Sequence, residues 1–522
     1  MTLFTHYVQS YAVPGRTMLA ASCALAVVLG AGAPAAQAKT TKLAGTLLTT
    51  ESVYVASRKT VVVGQALPNS TGVTAVADGT YPTVFANDAV DGNFGITSPI
   101  LVTAQGVEFD AKGARLFGPA SEVNITDLTG ISTSFSSKSE LEINLSTDGT
   151  ALTFMGYAAP VNELDASNAN TPDNIDPTNT DTQTPTYRAV VEVDLGGSVS
   201  ATQVDSYSGN NGRGAILARN ANGSGLDEYL TVGNAGNGSG TEPTNIVNDT
   251  GVQEVTPGAG PATNVIGAQQ GTPGSKDGFQ YGFAVQQIGD PEDKSGKDDN
   301  FRGSTVFSNN LYVSKGSGSN GVNTVYQVSA PGGGLPLASD AASTQISILP
   351  GLPTNLAANI VEGDPTTEFY PFGIWFANAT TMYVADEGSQ DLNADPNAGL
   401  QKWVFDGAQW NLAYVIQNGL NLDQTYPVLN YPQNYFPATT GLRHLSGIVN
   451  GNEAIIFATT ATFSNLADPG ADPNQVVEIV DQVSATTLPP GEAFTTVKQP
   501  RALYVYRGVE FYPGAATLPM AK

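Results

Sequence analysis

The sequence has almost none of the side chains that carry thiol or imidazole chemistry. Its 522 residues include one cysteine, Cys23, and two histidines, His6 and His444. Cys23 and His6 lie in the first 38 residues, which we expect to be removed on export. The remaining chain has no thiol, so disulfides, cysteine-based zinc sites and cysteine nucleophiles are excluded. A metal site with several histidines is excluded too, and a Ser-His-Asp triad would have to use His444.

The N-terminal segment 1–38 is typical of an export signal. Arg16 supplies the positive charge, residues 18–29 form an apolar run, and Ala36-Gln37-Ala38 gives a small-x-small cleavage pattern. The apolar run is too short to span a bilayer. The sequence therefore predicts a secreted or periplasmic protein, cleaved near Ala38 and not held in a membrane afterwards.

Positive charge is also scarce. The chain has 22 Lys and Arg residues against 47 Asp and Glu, which gives a formal net charge of −25. Such a surplus of acidic residues repels nucleic acids and anionic membranes, so we expect neither as a partner. Only 13% of the residues are charged while 57 are glycine, a turn-rich composition typical of β structure. We expect a soluble monomer, and calcium on oxygen ligands is the natural candidate for any bound metal.

What the sequence does have is a recurring phrase: a strand, a polar turn rich in Asn and Gly, a second strand and a Gly-rich loop. It occurs at residues 212–236, 301–319, 371–389 and 442–463. Radially repeated hairpins of this kind predict an all-β fold, a single β-propeller of six or seven four-stranded blades with long polar loop insertions. We expect the final segment, 501–514, to be a strand pair that shares a blade with the first strands near Tyr54, because closing the ring removes exposed sheet edges.

The predicted domain organisation follows from these patterns. After the signal come a lead-in at 39–50, the propeller at 51–514 and a tail at 515–522. Two polar stretches, near 161–186 and 234–275, contain too few apolar residues to bury a face, so we predict that they are exposed insertions between blades.

Several segments together resemble a group of uncharacterised exported bacterial proteins expected to be β-propellers. They are 141–157, 187–194 with 205–216, 309–318, 400–420 and 441–460. Some members of that group carry a C-terminal sorting tail of the PEP-CTERM type, whose pattern is not seen in this sequence. The resemblance covers about residues 50–515. It implies a propeller fold and export, and it brings no catalytic residue.

Basic residues recur at one position of the repeat. When the phrases are aligned on their first strand, an arginine opens most of them and Phe372 takes the equivalent place in one. The basic residues of this set are Lys138, Arg213, Arg302, Arg443 and Arg501. Because the innermost strands of a propeller line its channel, these residues predict a positive pocket suited to carboxylate or phosphate groups. The alternative is that each pairs with a nearby acid, such as Asp298, Asp299 or Glu140, and only holds strand ends together.

A second candidate site is a calcium loop. Asp391, Asn393 and Asp395 place oxygen ligands at alternate positions, and Asp386 and Glu387 lie close by in the sequence. The match to a known calcium loop is incomplete, because a proline follows the third ligand where a glycine is required.

Two functions are consistent with these patterns. The favoured one is an exported binding or scaffolding module, for an anionic extracellular ligand in the central channel. The alternative is a calcium-dependent hydrolase of the lactonase or phosphoesterase type, with His444 as the candidate acid or base. The sequence contains no Gly-x-Ser-x-Gly elbow and no Walker phosphate loop, so it leans away from an enzyme.

Overall fold

The structure, a computed structural model, describes residues 44–519 with internal gaps. The description omits residues 56–59, 68–73, 77, 83–94, 111–112, 136, 181–182, 237–242, 248, 259, 262–279, 282–283, 286–298, 319, 331, 341–343, 390–394 and 465–470, together with both termini. Nearly all regular structure in the described residues is β-strand, which confirms the all-β class. None of the helices in the described part of the chain is both long and apolar enough to cross a membrane.

The strands are numbered in chain order. They are β1 (Ala44–Val53), β2 (Thr97–Ser98), β3 (Ile100–Asp110), β4 (Gly113–Asn124), β5 (Thr133–Ser134), β6 (Asn144–Leu145), β7 (Ala151–Tyr157), β8 (Arg188–Asp194), β9 (Ser198–Val204), β10 (Gly212–Ala218), β11 (Glu228–Gly233), β12 (Gly251–Val255), β13 (Gln280–Tyr281), β14 (Ala284–Val285), β15 (Gly303–Phe307), β16 (Asn310–Lys315), β17 (Thr324–Ser329), β18 (Gln345–Ile348), β19 (Pro371–Asn378), β20 (Thr381–Asp386), β21 (Gly399–Phe405), β22 (Trp410–Ile416), β23 (Ala438–Asn450), β24 (Glu453–Phe463), β25 (Val476–Gln482), β26 (Thr495–Lys498) and β27 (Tyr504–Tyr512). The helices are α1 (Ile125–Thr129) and α2 (Thr244–Val247), and single 3-10 turns occur at Ala221–Gly223, Ala338–Asp340, Ala357–Asn359 and Gln433–Tyr435.

Six antiparallel sheets form the blades of a propeller. Blade one has the order β27-β1-β3-β4, blade two β6-β7-β8-β9, blade three β10-β11-β12, blade four β15-β16-β17-β18, blade five β19-β20-β21-β22 and blade six β23-β24-β25-β26. Within the described residues, blade three has three strands and the others have four. Two short ladders pair β2 with β5 and β13 with β14. The predicted propeller is therefore confirmed, and its blade number is six.

Hydrogen bonds join each blade to the next around a closed ring. From blade one onward they are Thr50 Oγ1 to Leu141 O (2.8 Å), Thr153 Oγ1 to Ala215 O (2.6 Å), Arg213 Nη1 to Phe301 O (2.9 Å), Ser314 Oγ to Phe372 O (2.5 Å), Thr440 Oγ1 to Glu387 O (3.0 Å) and Phe511 N to Ser446 Oγ (3.1 Å). A central cavity is lined by residues of the first strand of every sheet, β6, β10, β15, β19, β23 and β27. These six strands are therefore the inner strands of the ring.

The last strand closes the ring. β27 pairs with β1 in antiparallel register from Thr46 opposite Tyr512 to Val53 opposite Tyr504. The backbone N–H of Tyr54 also donates to the Leu503 carbonyl at 2.9 Å. The predicted blade sharing between the two ends of the chain is thus confirmed. Residues 504–512 form one continuous inner strand, so the expectation of a strand pair in that segment is wrong.

Apolar side chains on both faces of each blade hold the ring together. Within blade four, Leu311 and Val313 belong to the core shared with blade three, while Tyr312, between them, belongs to the core shared with blade five. Because side chains alternate along a strand, a sheet covered on both faces has nearly continuous apolar strands. One such cluster fills each of the six gaps between neighbouring blades.

Neither of the two predicted polar insertions is simply an exposed loop. Residues 161–186 lie outside the blade strands, but several of their polar side chains are fully buried, so the prediction of an exposed loop is wrong. The reason is the buried Arg188, which donates to the carbonyls of Thr186 (2.6 Å), Ser167 (2.8 Å) and Ala169 (2.9 Å). Hydrogen bonds to this arginine take the place of an apolar face. In the second insertion, 234–275, β12 forms the third strand of blade three.

Glycine allows the inner strands to approach one another closely. A Cβ on Gly303 would overlap the carbonyl oxygen of Phe372 in blade five, and one on Gly373 would lie 2.8 Å from the Arg443 carbonyl in blade six. On the other side of the ring, a Cβ on Gly508 would lie 2.7 Å from the Leu141 carbonyl. The narrow channel therefore depends on inner-strand positions that have no side chain.

This packing predicts that Gly303→Ala destabilises the protein. The added methyl group would press on the backbone rather than on a mobile side chain, so blades four and five must separate locally. Overpacking of this kind typically destabilises the folded state by about 1–3 kcal/mol. Urea unfolding of both proteins measures the difference. Gly260→Ala is the matched control, because a Cβ there would have no neighbour within 4 Å. Equal stability of the Gly303→Ala variant and the wild type would contradict the close approach of the inner strands.

Candidate functional site

Five cationic side chains converge near the starts of the inner strands, and we call them the cation cluster. They are Lys138, Arg213, Arg302, Arg443 and Arg507. All but Arg213 line a void of about 20 Å³ inside the channel. Arg213 lies beside the void, because its Nε and the Nη1 of Arg302 both donate to the hydroxyl of Ser139, at 3.0 and 2.7 Å. Two guanidinium groups from different blades therefore meet at one neutral oxygen.

Phe372 forms the aromatic part of the wall. The Lys138 Nζ and the Arg302 Cζ each lie 5.8 Å from the centre of its ring. These are cation–π distances, so the ring contributes some of the stabilisation that an acid would give. The sequence had placed Phe372 at the position equivalent to the arginines, and the structure places it beside them.

Glu387 is the main counter-charge of the cluster. One of its oxygens accepts from Lys138 Nζ at 2.8 Å and the other from Arg443 Nε at 3.2 Å. It follows β20, so it links blade five to residues of blades two and six across the channel. Glu140 also lines the void, but its oxygens accept from Thr133, Ser134, Tyr157 and Asn211. The acid that pairs with Lys138 and Arg443 therefore comes from a different blade. Of the acids expected to pair locally, Glu140 bonds other groups and Asp298 lies outside the described residues.

Arg302 is the least compensated member of the cluster. Among the described residues it has no carboxylate within ion-pair distance, and its Nε is buried without a hydrogen-bond partner. Burial, followed by the charge of Arg213, places its pKa well below the usual value. Burial also lowers the pKa of Lys138 to about 8, although Glu387 opposes the shift. The protein therefore keeps these cations in a place that disfavours their charge.

The predicted basic ring is only partly found at the channel. Lys138, Arg213, Arg302 and Arg443 lie in the cluster, while Arg501 does not. The Arg501 side chain is 45% exposed, lies 3.5 Å from Glu51 and stacks 3.7 Å from the centre of the Tyr504 ring. Its place is taken by Arg507, which donates to the Ser52 hydroxyl at 2.9 Å and to the carbonyls of Ser137 and Phe135.

A simple sequence signal identifies Arg507. At three of the inner strands the residue that faces the void precedes a glycine: Arg302-Gly303, Phe372-Gly373 and Arg507-Gly508. Arg501 is followed by alanine, whose Cβ does not suit the close approach described above. An alignment on the Gly would have selected the correct arginine.

Further along the inner strands lies a cavity of about 400 Å³, which we call the large cavity. Glu142 and His444 line both this cavity and the small void, so they separate the two. Burial raises the pKa of Glu142 to about 8 and that of Glu510 to about 8, and it lowers the pKa of His444 to about 4. The Val509 backbone N–H donates to His444 Nδ1 at 3.2 Å, as a neutral imidazole requires. His444 had been predicted as an acid or base, and it lies 3.7 Å from Glu142.

The predicted calcium residues are only partly described, since Asp391 and Asn393 lie outside the described residues. Asp386 accepts from the backbone N–H groups of Tyr370 and Gly388, both at 2.9 Å, and Asp395 accepts from Ser389 N at 3.1 Å. Burial raises the pKa of both carboxyl groups, and the charge of Asp395 raises that of Asp386 further. Glu387 is engaged with the cation cluster. No group of three potential ligands for a metal occurs in the part of the chain that is described. Calcium binding by these residues stays a prediction.

Fold and site together define the protein as a six-bladed β-propeller with a polar channel. No family model matches the chain, and no curated protein matches it. Among solved structures, it is similar to the crystal structure of the Niastella koreensis GH74 enzyme, with 12% sequence identity and a TM-score of 0.25. The similarity covers 84% of this chain and 68% of that one. It is too low to transfer the role of any residue.

The shifted carboxyl groups predict a loss of stability towards alkaline pH. Because the native pKa of Glu510 is raised to about 8, the folded protein keeps a proton that the unfolded chain releases near its ordinary value, about 4.3. Its contribution to stability is complete at acidic pH and is lost as pH rises through about 8. The slope reaches about 1.4 kcal/mol per pH unit for each such group.

Glu510→Gln tests this directly, because glutamine resembles the protonated acid. We expect the variant and the wild type to be equally stable near pH 5, and the variant to be more stable near pH 8. These two values lie at about the ends of the range between the unfolded and the native pKa of Glu510. Urea unfolding across the range measures the slope. Replacing the exposed Glu453 by glutamine is the control and should leave the slope unchanged. A variant slope identical to that of the wild type would show that Glu510 is ionised in the folded protein.

Proposed function

We propose that the protein is a binding module that holds an anionic group of a ligand at the cation cluster. The observation that supports this most directly is the state of Arg302. Among the described residues, its Nε is buried without a hydrogen-bond partner, and its Nη1 bonds only a serine hydroxyl that Arg213 also uses. Oriented guanidinium groups of this kind are suited to carboxylate, sulfate or phosphate oxygens.

The balance of charge favours the same conclusion. Among the described residues, the cluster contains five cationic side chains, and the carboxyl groups near it are Glu387, Glu140 and Asp299. Burial lowers the pKa of Arg213 to about 10, and the buried Asp299 opposes that shift. Glu142 adds no negative charge at neutral pH because its pKa is raised to about 8. A positive excess remains in a protein whose net charge is −25. Inside a low-dielectric channel, such an excess concentrates an attractive field for anions.

The size of the void limits the anion. About 20 Å³ holds roughly one water-sized group, since a single water needs about 10–15 Å³. One oxygen atom of an anion fits this space, so the rest of the anion must lie beside it. We therefore expect formate, which has only three non-hydrogen atoms, to bind better than sulfate or phosphate.

Removing Arg302 should abolish anion binding. We expect formate, at constant ionic strength, to raise the melting temperature of the wild type by a few degrees, because a ligand bound only by the folded state stabilises it; at about 100 times Kd the gain is about 2.7 kcal/mol. Arg302→Met should lose this response. Arg501→Met removes the same charge from an exposed site and should retain it. If both variants respond as the wild type does, the anion lies elsewhere.

Glu387→Gln should have the opposite effect on anion binding. This substitution removes the carboxylate that pairs with Lys138 and Arg443, so it leaves more uncompensated positive charge in the channel. We expect lower stability in dilute buffer and a larger stabilisation by formate than in the wild type, measured by the same thermal titration. A variant that is destabilised but gains nothing from formate would mean that Glu387 serves the fold alone.

A further inference from the structure

The large cavity forms a second site with a different chemistry. The residues that line it are exposed at one end and buried at the other. Thr147, Ser308 and Asn309 form an exposed rim at the turns that follow β6 and β15, whereas Ser304 and Ser446 are buried. The cavity is therefore open to solvent at the hairpin turns and deepens toward Glu142 and His444. Its volume, about 400 Å³, lies within the usual range for small-molecule sites, about 300–1,000 Å³.

The wall has hydrogen-bonding groups but little charge. Of the residues that line the cavity, only Glu142, His444 and Glu510 are ionisable. Glu142 accepts from the Ser304 backbone N–H at 2.6 Å and lies 3.1 Å from the Ser304 hydroxyl, while Glu510 accepts from the Ser446 hydroxyl and from Phe511 N at 3.2 Å. Burial raises the pKa of both acids to about 8 and lowers that of the histidine to about 4, which disfavours the charged form of all three. An ionic ligand would find little opposite charge here.

One side of the wall is apolar and rigid. Trp375 is partly exposed and belongs to the lining, and its ring lies 5.8 Å from that of Tyr383 at an angle of 30°. Gly447 makes room for the indole, because a Cβ at that position would lie 3.1 Å from the ring. Contact on these two sides fixes the indole orientation in the absence of a ligand, and an aromatic surface held in this way loses little entropy on binding.

We propose that the large cavity binds a neutral polyhydroxylated ligand of one or two sugar units. A pyranose ring has hydroxyl groups around its edge and apolar C–H faces, and this wall offers hydroxyl, amide and protonated carboxyl partners together with an aromatic surface. The site is separate from the anion site, because Glu142 and His444 lie between them. It does not depend on the proposed anion binding.

The test is a calorimetric titration of the intact protein with a panel of neutral mono- and disaccharides and the corresponding uronic acids. We expect saturable binding of at least one neutral sugar and weaker binding of its uronic acid. Trp375→Ala should weaken that binding at least tenfold, since stacking on the indole is lost. Phe117→Ala removes an exposed aromatic side chain from β4 and is the matched control. Arg302→Met should leave the affinity for the sugar unchanged.

A second variant distinguishes the loss of a ligand contact from misfolding caused by Trp375→Ala. Asn144→Leu removes an amide from the cavity wall and keeps the branched shape of the side chain, and it should also weaken sugar binding at least tenfold. Four results would overturn the proposal: no saturable binding of any neutral sugar, tighter binding of the uronic acid, full affinity in both cavity variants, or calcium binding with proton release that Glu142→Gln or Glu510→Gln abolishes.

Discussion

The last strand of the propeller, β27, pairs with the first, β1, and occupies the channel side of blade one. This pairing runs from Thr46 opposite Tyr512 to Val53 opposite Tyr504. Without it, the inner edge of β1 would be an unpaired row of backbone groups, which folded proteins avoid. The channel would also lose Arg507 and Glu510, one from each of its two sites. Both candidate sites therefore exist only in the closed ring, and their stability is tied to that of the whole chain.

Along the channel, the inner strands place their cationic side chains at one level and their neutral or protonatable side chains at another. Along β15 and the residue before it, Arg302 lines the small void, Ser304 the boundary of the large cavity and Val306 its wall. These residues are two apart, as a strand face requires. In β23 the register with β24 shifts between Leu442 and Leu445, and this irregularity allows the consecutive residues Arg443 and His444 both to face the channel. The alternation along β15 and the register shift in β23 both contribute to the separation of the cationic level from the neutral one.

The sequence was informative where the chemistry repeats with the blades. Recurring hairpins predicted the propeller, and recurring arginines predicted three of the five members of the cation cluster, with Lys138 as a fourth. The sequence predicts Arg501 in place of Arg507, because a strand pair over 501–514 puts Arg501 at the start of the inner strand. The Gly that follows the channel-facing residue was the better guide, since it records how closely the neighbouring backbone approaches.

Other features had no local signal at all. Glu387 meets Lys138, which is 249 residues earlier, only because blades two and five face each other across the channel. The raised pKa values of Glu142 and Glu510 depend on burial between blades that are far apart in the sequence, which no single segment encodes. The buried Arg188 similarly converts a polar stretch into packed structure through hydrogen bonds from outside that stretch. Composition predicts whether a segment can bury an apolar face, but not whether a distant cation satisfies its carbonyl groups.

The channel contains polar groups that a purely structural core would not need. Replacing a buried ion pair by apolar residues of similar volume is often neutral or stabilising, so the pairs of Glu387 with Lys138 and Arg443 are not explained by stability. Arg302 is a clearer case, since its buried Nε lies near Arg213 and no acid of the described residues forms an ion pair with it. The gaps between the blades, by contrast, are filled with apolar side chains. Apolar packing between the blades thus stabilises the folded protein, while the buried charges of the channel destabilise it. This distribution is expected when the channel is shaped by the ligand that it binds.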